Sequence, residues 1–156
     1  MNRFMISYEE PAMKQEAPAA LVRKVLGFTC RELALHDVEI SCSFVSDKTI
    51  HELNLKYRNI DESTDVLSFV QHDADSEVTF PGCSGEPNEL GDLVISLDTL
   101  KNNAEYFSIP FSEELCRVLI HGCLHLNGED HKSNSPEEAM LKKQEALLNK
   151  LKGGLI

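Results

Sequence analysis

Residues 121–131 read HGCLHLNGEDH and hold three of the chain's six histidines. His121 and His125 stand four residues apart, so on an α-helix they project from one face. Val118, three residues before His121, extends that stripe toward a core. Gly128 follows where such a helix should end, because glycine takes the left-handed conformation that turns a chain at no steric cost. His131 can then swing back toward the other two. A helix, a tight stop and a return are demanded in quick succession, and any fold open to this chain has to supply them.

Three neutral imidazoles suit zinc, with Zn–N distances of about 2.0–2.1 Å and a fourth position left to water. Nickel, copper or iron suit the same nitrogens. A closed structural zinc site wants a fourth protein ligand, and Cys123, two positions from His121, points elsewhere on a helix. Asp130 is the candidate carboxylate to fix one ring through its other nitrogen. Two plainer readings compete: three unconnected histidines, or a buried structural ion. The spacing together with Gly128 favours an open, hydrolytic site.

Helical zinc peptidases place a glutamate directly after the first histidine as general base. Here that position is Gly122. An ion still lowers the pKa of its bound water toward ~7, yet peptide cleavage by the usual scheme lacks its base. Glu129, two residues before His131, has no positional reason to face the ion. A phosphodiester makes different demands: a metal, and a cation beside the growing negative charge. Arg58, in LNLKYRNIDESTDVLSF, is the candidate, since a guanidinium fork matches phosphate oxygens. A surface salt bridge to Asp61 or Asp65 is the bland alternative.

The remaining sequence frames this segment. Strands are expected at 3–9, 38–45, 64–70 and 90–96, where apolar residues alternate. Helices are expected from Ala19 to Leu35, from Ser46 or Asp47 to Arg58, from Leu97 to Tyr106, and from a Ser112 cap to Leu126. Ser135, Pro136 and Glu138 have the spacing of a capping box for a last helix, whose inward face is Met140, Leu147, Leu148 and Leu151. That order predicts one α+β domain over residues 1–156. The Pro- and Gly-punctuated stretch at 71–89 reads as an acidic loop or flap. No apolar run reaches the ~20 residues that span a bilayer, and no export segment is evident. Five cysteines without CxxC spacing fit reduced thiols in a cytoplasmic protein. The formal net charge of -11 argues against non-specific coating of nucleic acid. It is uneven, with ten Asp or Glu residues and no Lys or Arg from Asn59 through Leu100.

Three blocks, LNLKYRNIDESTDVLSF at 53–69, LGDLVIS at 90–96 and HGCLHLNGEDH at 121–131, make the chain resemble the YbeY family of metal-dependent endoribonucleases. The resemblance implies an α+β fold around a mixed sheet of about four strands, with metal geometry related to that of zinc peptidases. It implies that His121, His125 and His131 hold one zinc ion, or another divalent ion such as nickel, and that Arg58 lies in a positively charged cleft beside it. The implied substrate is single-stranded RNA in ribosomal RNA precursors, with the small ribosomal subunit and its proteins as partners, in maturation and quality control. The sequence departs from the family pattern at Glu129, where an aromatic is usual, and at Val70, where proline is usual. The acidic 71–89 segment is expected to fold away from the cleft or, less favoured, to contact a basic ribosomal protein.

Overall fold

Alternating apolar residues close the first pairing: Phe4, Ile6 and Tyr8 of β1 (Arg3–Tyr8) lie in register with Ile40, Cys42 and Phe44 of β2 (Glu39–Val45). The computed structural model describes residues 1–71, 89–131, 133–135 and 137–154. The expected flap at 71–89 lies almost wholly outside them, as do Cys83 and Pro136. After a single turn, α1 (Met13–Glu16), helix α2 (Ala19–Glu32) carries the chain between the parallel strands β1 and β2. It ends three residues earlier than the periodicity suggests, because Ala34 turns the backbone at φ 57°.

Helix α3 (Asp47–Arg58) starts at Ser46, whose hydroxyl accepts from the amide of Thr49. It stops at Asn59 in the left-handed conformation, which leaves Arg58 as its last residue. Strand β3 (Val66–Val70) then runs antiparallel to β4 (Glu89–Ser96), and β4 runs parallel to β2. The mixed sheet therefore has the order β1-β2-β4-β3, with β3 at an edge. Helices α4 (Leu97–Phe107), α5 (Phe111–Leu126) and α6 (Ala139–Gly154) complete the α+β architecture. Two caps differ from the sequence expectation. Helix α5 begins after Pro110 with no side-chain cap, rather than at Ser112. The capping box does not close: Ser135 Oγ accepts from Glu137 N, while Glu138 is drawn to the hydroxyl of Ser133, so α6 starts later.

The larger core lies between one sheet face and α2, α5 and α6, and contains Leu26, Ile40, Leu93, Leu119 and Leu148. A smaller cluster on the other face, Val45, Ile50 and Leu67, seats α3. Helix α5 lies unusually close to β4. A Cβ on Gly122 would stand 2.6 Å from Leu93 Cδ2, and one on Gly91 would stand 2.6 Å from Leu126 Cδ2 and strike the carbonyl oxygen of Phe69. Gly91 also holds φ at 151°, which side chains rarely adopt.

Gly122→Ala should therefore destabilise the protein by about 1–2 kcal/mol, because overpacking a filled core outweighs the ~1 kcal/mol that alanine gains over glycine in a helix. Urea unfolding of Gly122→Ala, Leu93→Ala and the double variant is expected to give less than additive losses. A net gain in stability for Gly122→Ala would show that the close approach is not limiting.

Candidate metal centre

The last turn of α5 sets the geometry. The Glu129 amide donates to Leu124 O and the Gly128 amide to His125 O, at 3.0 and 2.9 Å. This is a Schellman turn with Gly128 at φ 90°. The chain reverses there, and His131 comes back over the two helical histidines. Ring centroids lie 4.6 Å apart for His121 and His125, 5.3 Å for His121 and His131, and 5.5 Å for His125 and His131. One nitrogen from each ring falls within 4.8 Å of the others. Among the described residues no cysteine or carboxylate joins this group. Cys123 is fully buried in the core, as the helical spacing predicts.

Each ring is oriented through Nδ1. His121 Nδ1 lies 2.6 Å from Gln144 Oε1, His125 Nδ1 lies 3.1 Å from Glu129 O, and His131 Nδ1 lies 2.8 Å from Ser133 O. All three partners are oxygens that only accept, so each Nδ1 carries a proton, and in the neutral ring that metal ligation requires each Nε2 keeps a free lone pair. The Nε2 atoms of His121 and His125 then face each other at 3.0 Å. Two lone pairs at that distance repel unless a cation lies between or beside them. Around a tetrahedral ion with Zn–N bonds of about 2.0–2.1 Å, ligand nitrogens are spaced at roughly 3.3 Å, close to what is found. Burial, reinforced by His121, pushes the His125 imidazole below its ordinary pKa of 6.5, which keeps it neutral. The donor set fits a divalent transition metal.

Asp130 takes a different place from the one expected. Its Oδ1 accepts from the backbone amide of His131 and stays 3.9 Å from His125 Nδ1, too far for a hydrogen bond. The Glu129 carbonyl already occupies that nitrogen. Asp130 thus steadies the backbone of His131 rather than a ring. Gln144, which the sequence reading missed, is the side chain that fixes a ring. Its signal was a polar residue one turn after Met140, inside the inward stripe of α6.

The histidines open onto a cleft of about 900 Å³, lined opposite them by Arg58, Ile60 and strand β3. Arg58 Nη2 donates to Ser68 O at 2.6 Å, and the guanidinium sits 5.5 Å above the Phe69 ring. The suggested partners are engaged elsewhere: Asp61 bonds His51, and Asp65 accepts from Val66 N. No ion pair of Arg58 is seen among the described residues. Among the described residues the lining carries more acidic than basic side chains. Glu62, Asp65, Glu129 and Asp130 border the cleft with Arg58. The unusual Glu129 is partly neutralised by Lys143 at 3.1 Å. Val70 keeps its ladder position opposite Gly91, and its side chain is largely exposed at the cleft.

Gly128→Ala should cost about 1–2 kcal/mol, the penalty of a left-handed L-residue, since open space surrounds a Cβ there. Because the same turn carries His131, zinc affinity measured by chelator competition is expected to fall with it. Gly153→Ala, also in open space but inside the last turn of α6, should leave zinc affinity unchanged and raise rather than lower stability, by up to ~1 kcal/mol.

A family model described as "Endoribonuclease YbeY" matches residues 5–152. A Treponema denticola protein of that name is 46% identical over 132 residues, covering 84% of this chain and 82% of that protein. A namesake from Latilactobacillus sakei is 37% identical over 146 residues, covering 90% of this chain and 92% of its own. The solution structure of a Thermotoga maritima protein superimposes with a TM-score of 0.60 at 28% identity, over 97% of this chain and 91% of that one. The chain belongs to the YbeY family.

Proposed function

We propose that this protein is a zinc-dependent endoribonuclease that cuts single-stranded regions of ribosomal RNA precursors during small-subunit maturation and quality control. The observation that carries this reading is the convergence of three imidazoles on an open cleft shared with an arginine that pairs with no carboxylate among the described residues. His121, His125 and His131 hold the ion, and residues 1–156 form one catalytic domain. Two histidines a helical turn apart, with a third returning after a glycine stop, support a zincin-like centre. Another divalent ion such as nickel suits the same nitrogens.

A bound ion supplies Lewis acidity to a phosphoryl oxygen and acidifies a water to a pKa near ~7. Arg58 does the rest of the charge work. The Ser68 carbonyl anchors one arm of its guanidinium, leaving the other N–H groups to grip a non-bridging phosphate oxygen as charge builds. Position 122 faces Leu93 in the core rather than the cleft, so a peptidase base has no room there. The cytoplasm is the proposed location, supported by four free cysteines.

At constant salt, which phosphate binding requires, chelation or His121→Ala should abolish cleavage of single-stranded RNA. Arg58→Ala should keep the fold and the zinc but lose about 10²–10³-fold in kcat, the usual cost of removing one charge-stabilising donor. Loss of fold and zinc together in Arg58→Ala, or cleavage at the parental rate, would remove the catalytic role of that residue. Because acidic residues outnumber arginine among the described residues of the cleft, the metal-free protein should also lose RNA affinity in fluorescence anisotropy. Equal affinity with and without metal would place RNA elsewhere on the surface.

A further inference from the structure

We propose that Gln144 on α6 is a positioning residue of the metal centre, setting the tautomer and direction of His121 through an amide that Glu145 and Arg117 hold in one orientation. The inference rests on the reading of the three histidines as ligands.

Gln144 is 7% exposed, and both ends of its amide are committed. Oε1 lies 2.6 Å from His121 Nδ1, and Nε2 donates to Glu145 Oε2 at 3.1 Å. An amide oxygen only accepts and an amide nitrogen only donates. Flipping the amide would set its oxygen against the Glu145 carboxylate, losing that bond, and its NH2 group against the imidazole, which could then keep a bond only as the Nε2–H tautomer. Glu145 therefore decides which end of Gln144 meets His121. That end decides the tautomer: Nδ1–H is required, and Nε2 is left free to face the other histidines.

Arg117 closes the chain of contacts. Its Nε and Nη2 each donate at 3.0 Å, to Oε2 and Oε1 of Glu145. This is the fork-on-carboxylate geometry that fixes orientation as well as charge. Burial alone would push the Glu145 carboxyl up, but the bonds from Arg117 and Gln144 outweigh it and hold it below the ordinary carboxylate range. It stays an anion and an obligate acceptor. Arg117 is also one helical turn before His121 and is steadied by Glu114 at 3.4 Å. The clamp that docks α6 on α5 thus also sets the direction of a ligand.

The neutral acceptor has a chemical consequence. A carboxylate on the same nitrogen would also orient the ring, but it would raise the basicity of the imidazole and add a negative charge to a cleft where four acidic residues already stand among the described lining. The amide orients without that charge.

Two measurements test this. In metal-free parent protein, long-range proton–nitrogen NMR should show His121 as the Nδ1–H tautomer. Zinc affinity by chelator competition should fall about 10–100-fold in Gln144→Leu, the usual effect of losing the partner of a ligating histidine. The Leu variant should keep its circular dichroism spectrum. Equal zinc affinity in Gln144→Leu and parent, or an Nε2–H tautomer at His121 in the parent, would overturn the role of Gln144 while leaving the metal centre standing. If Gln144→Leu fails to fold, the parental tautomer decides. Parent protein that binds no zinc would overturn the metal reading itself, and this inference with it.

Discussion

The contact between α5 and β4 governs everything that the cleft can do. Gly122 meets Leu93, and Leu126 meets Gly91. Four residues of helix rise about 6.0 Å and two residues of strand about 6.6 Å, so the helix lies along the strand, running against its direction. The histidines sit one residue back from the contacting positions, about 100° around the helix. This turns them from the core toward β3, the edge strand of the described sheet. Arg58 reaches the same space from the other side of the sheet, and Ser68 O fixes it to β3. Both halves of the site are referenced to one sheet. A side chain at position 122 would lift α5 and shift both helical histidines against the arginine together.

On this frame, the donors are aimed by acceptors that carry no formal charge. Two are backbone carbonyls, of Glu129 and Ser133, and the third is the amide of Gln144. Backbone carbonyls cannot be lost by substitution, and the Schellman turn delivers both the Glu129 carbonyl and the chain reversal to His131. One local structure thus orients two ligands, while the first ligand is oriented by a helix from elsewhere in the chain. The carboxylates nearby are spent on other work: Asp130 on a backbone amide, Glu129 on Lys143, and Glu145 on Arg117.

Features set by spacing were legible in the sequence, and features set by tertiary approach were not. His121 and His125 on one helical face, the stop at Gly128 and the return of His131 follow from local rules, and the structure shows each of them. Four strands were readable from alternation, but the order β1-β2-β4-β3 depends on pairings between segments far apart, which no local pattern encodes. Gly122 was readable as a missing base, yet the reason for it, the side chain of Leu93 beneath it, belongs to another element. Asp130 was the natural carboxylate to assign to a ring because it is adjacent in sequence. The partner of His121 is 23 residues away. The capping box at Ser135 failed for a related reason, since Ser133 offered Glu138 a nearer partner.

The charge pattern gives these arrangements a common direction. A protein with a formal charge of -11 is repelled by a polyanion at long range, and ions in solution screen that repulsion beyond about 8–10 Å. What matters for RNA is the field inside the cleft, where burial weakens screening. Among the described residues four acidic side chains line it against one arginine, so that part of the lining by itself does not attract phosphate. Three neutral imidazoles add nothing to the balance until they hold a divalent ion. Every orienting group that kept a formal negative charge would subtract from that ion's field at the point where phosphate must enter. Carbonyl and amide acceptors at all three rings avoid that loss. The same choice that fixes the tautomers therefore leaves the positive charge of the site concentrated at the ion and at Arg58, the two places where a phosphodiester would need it.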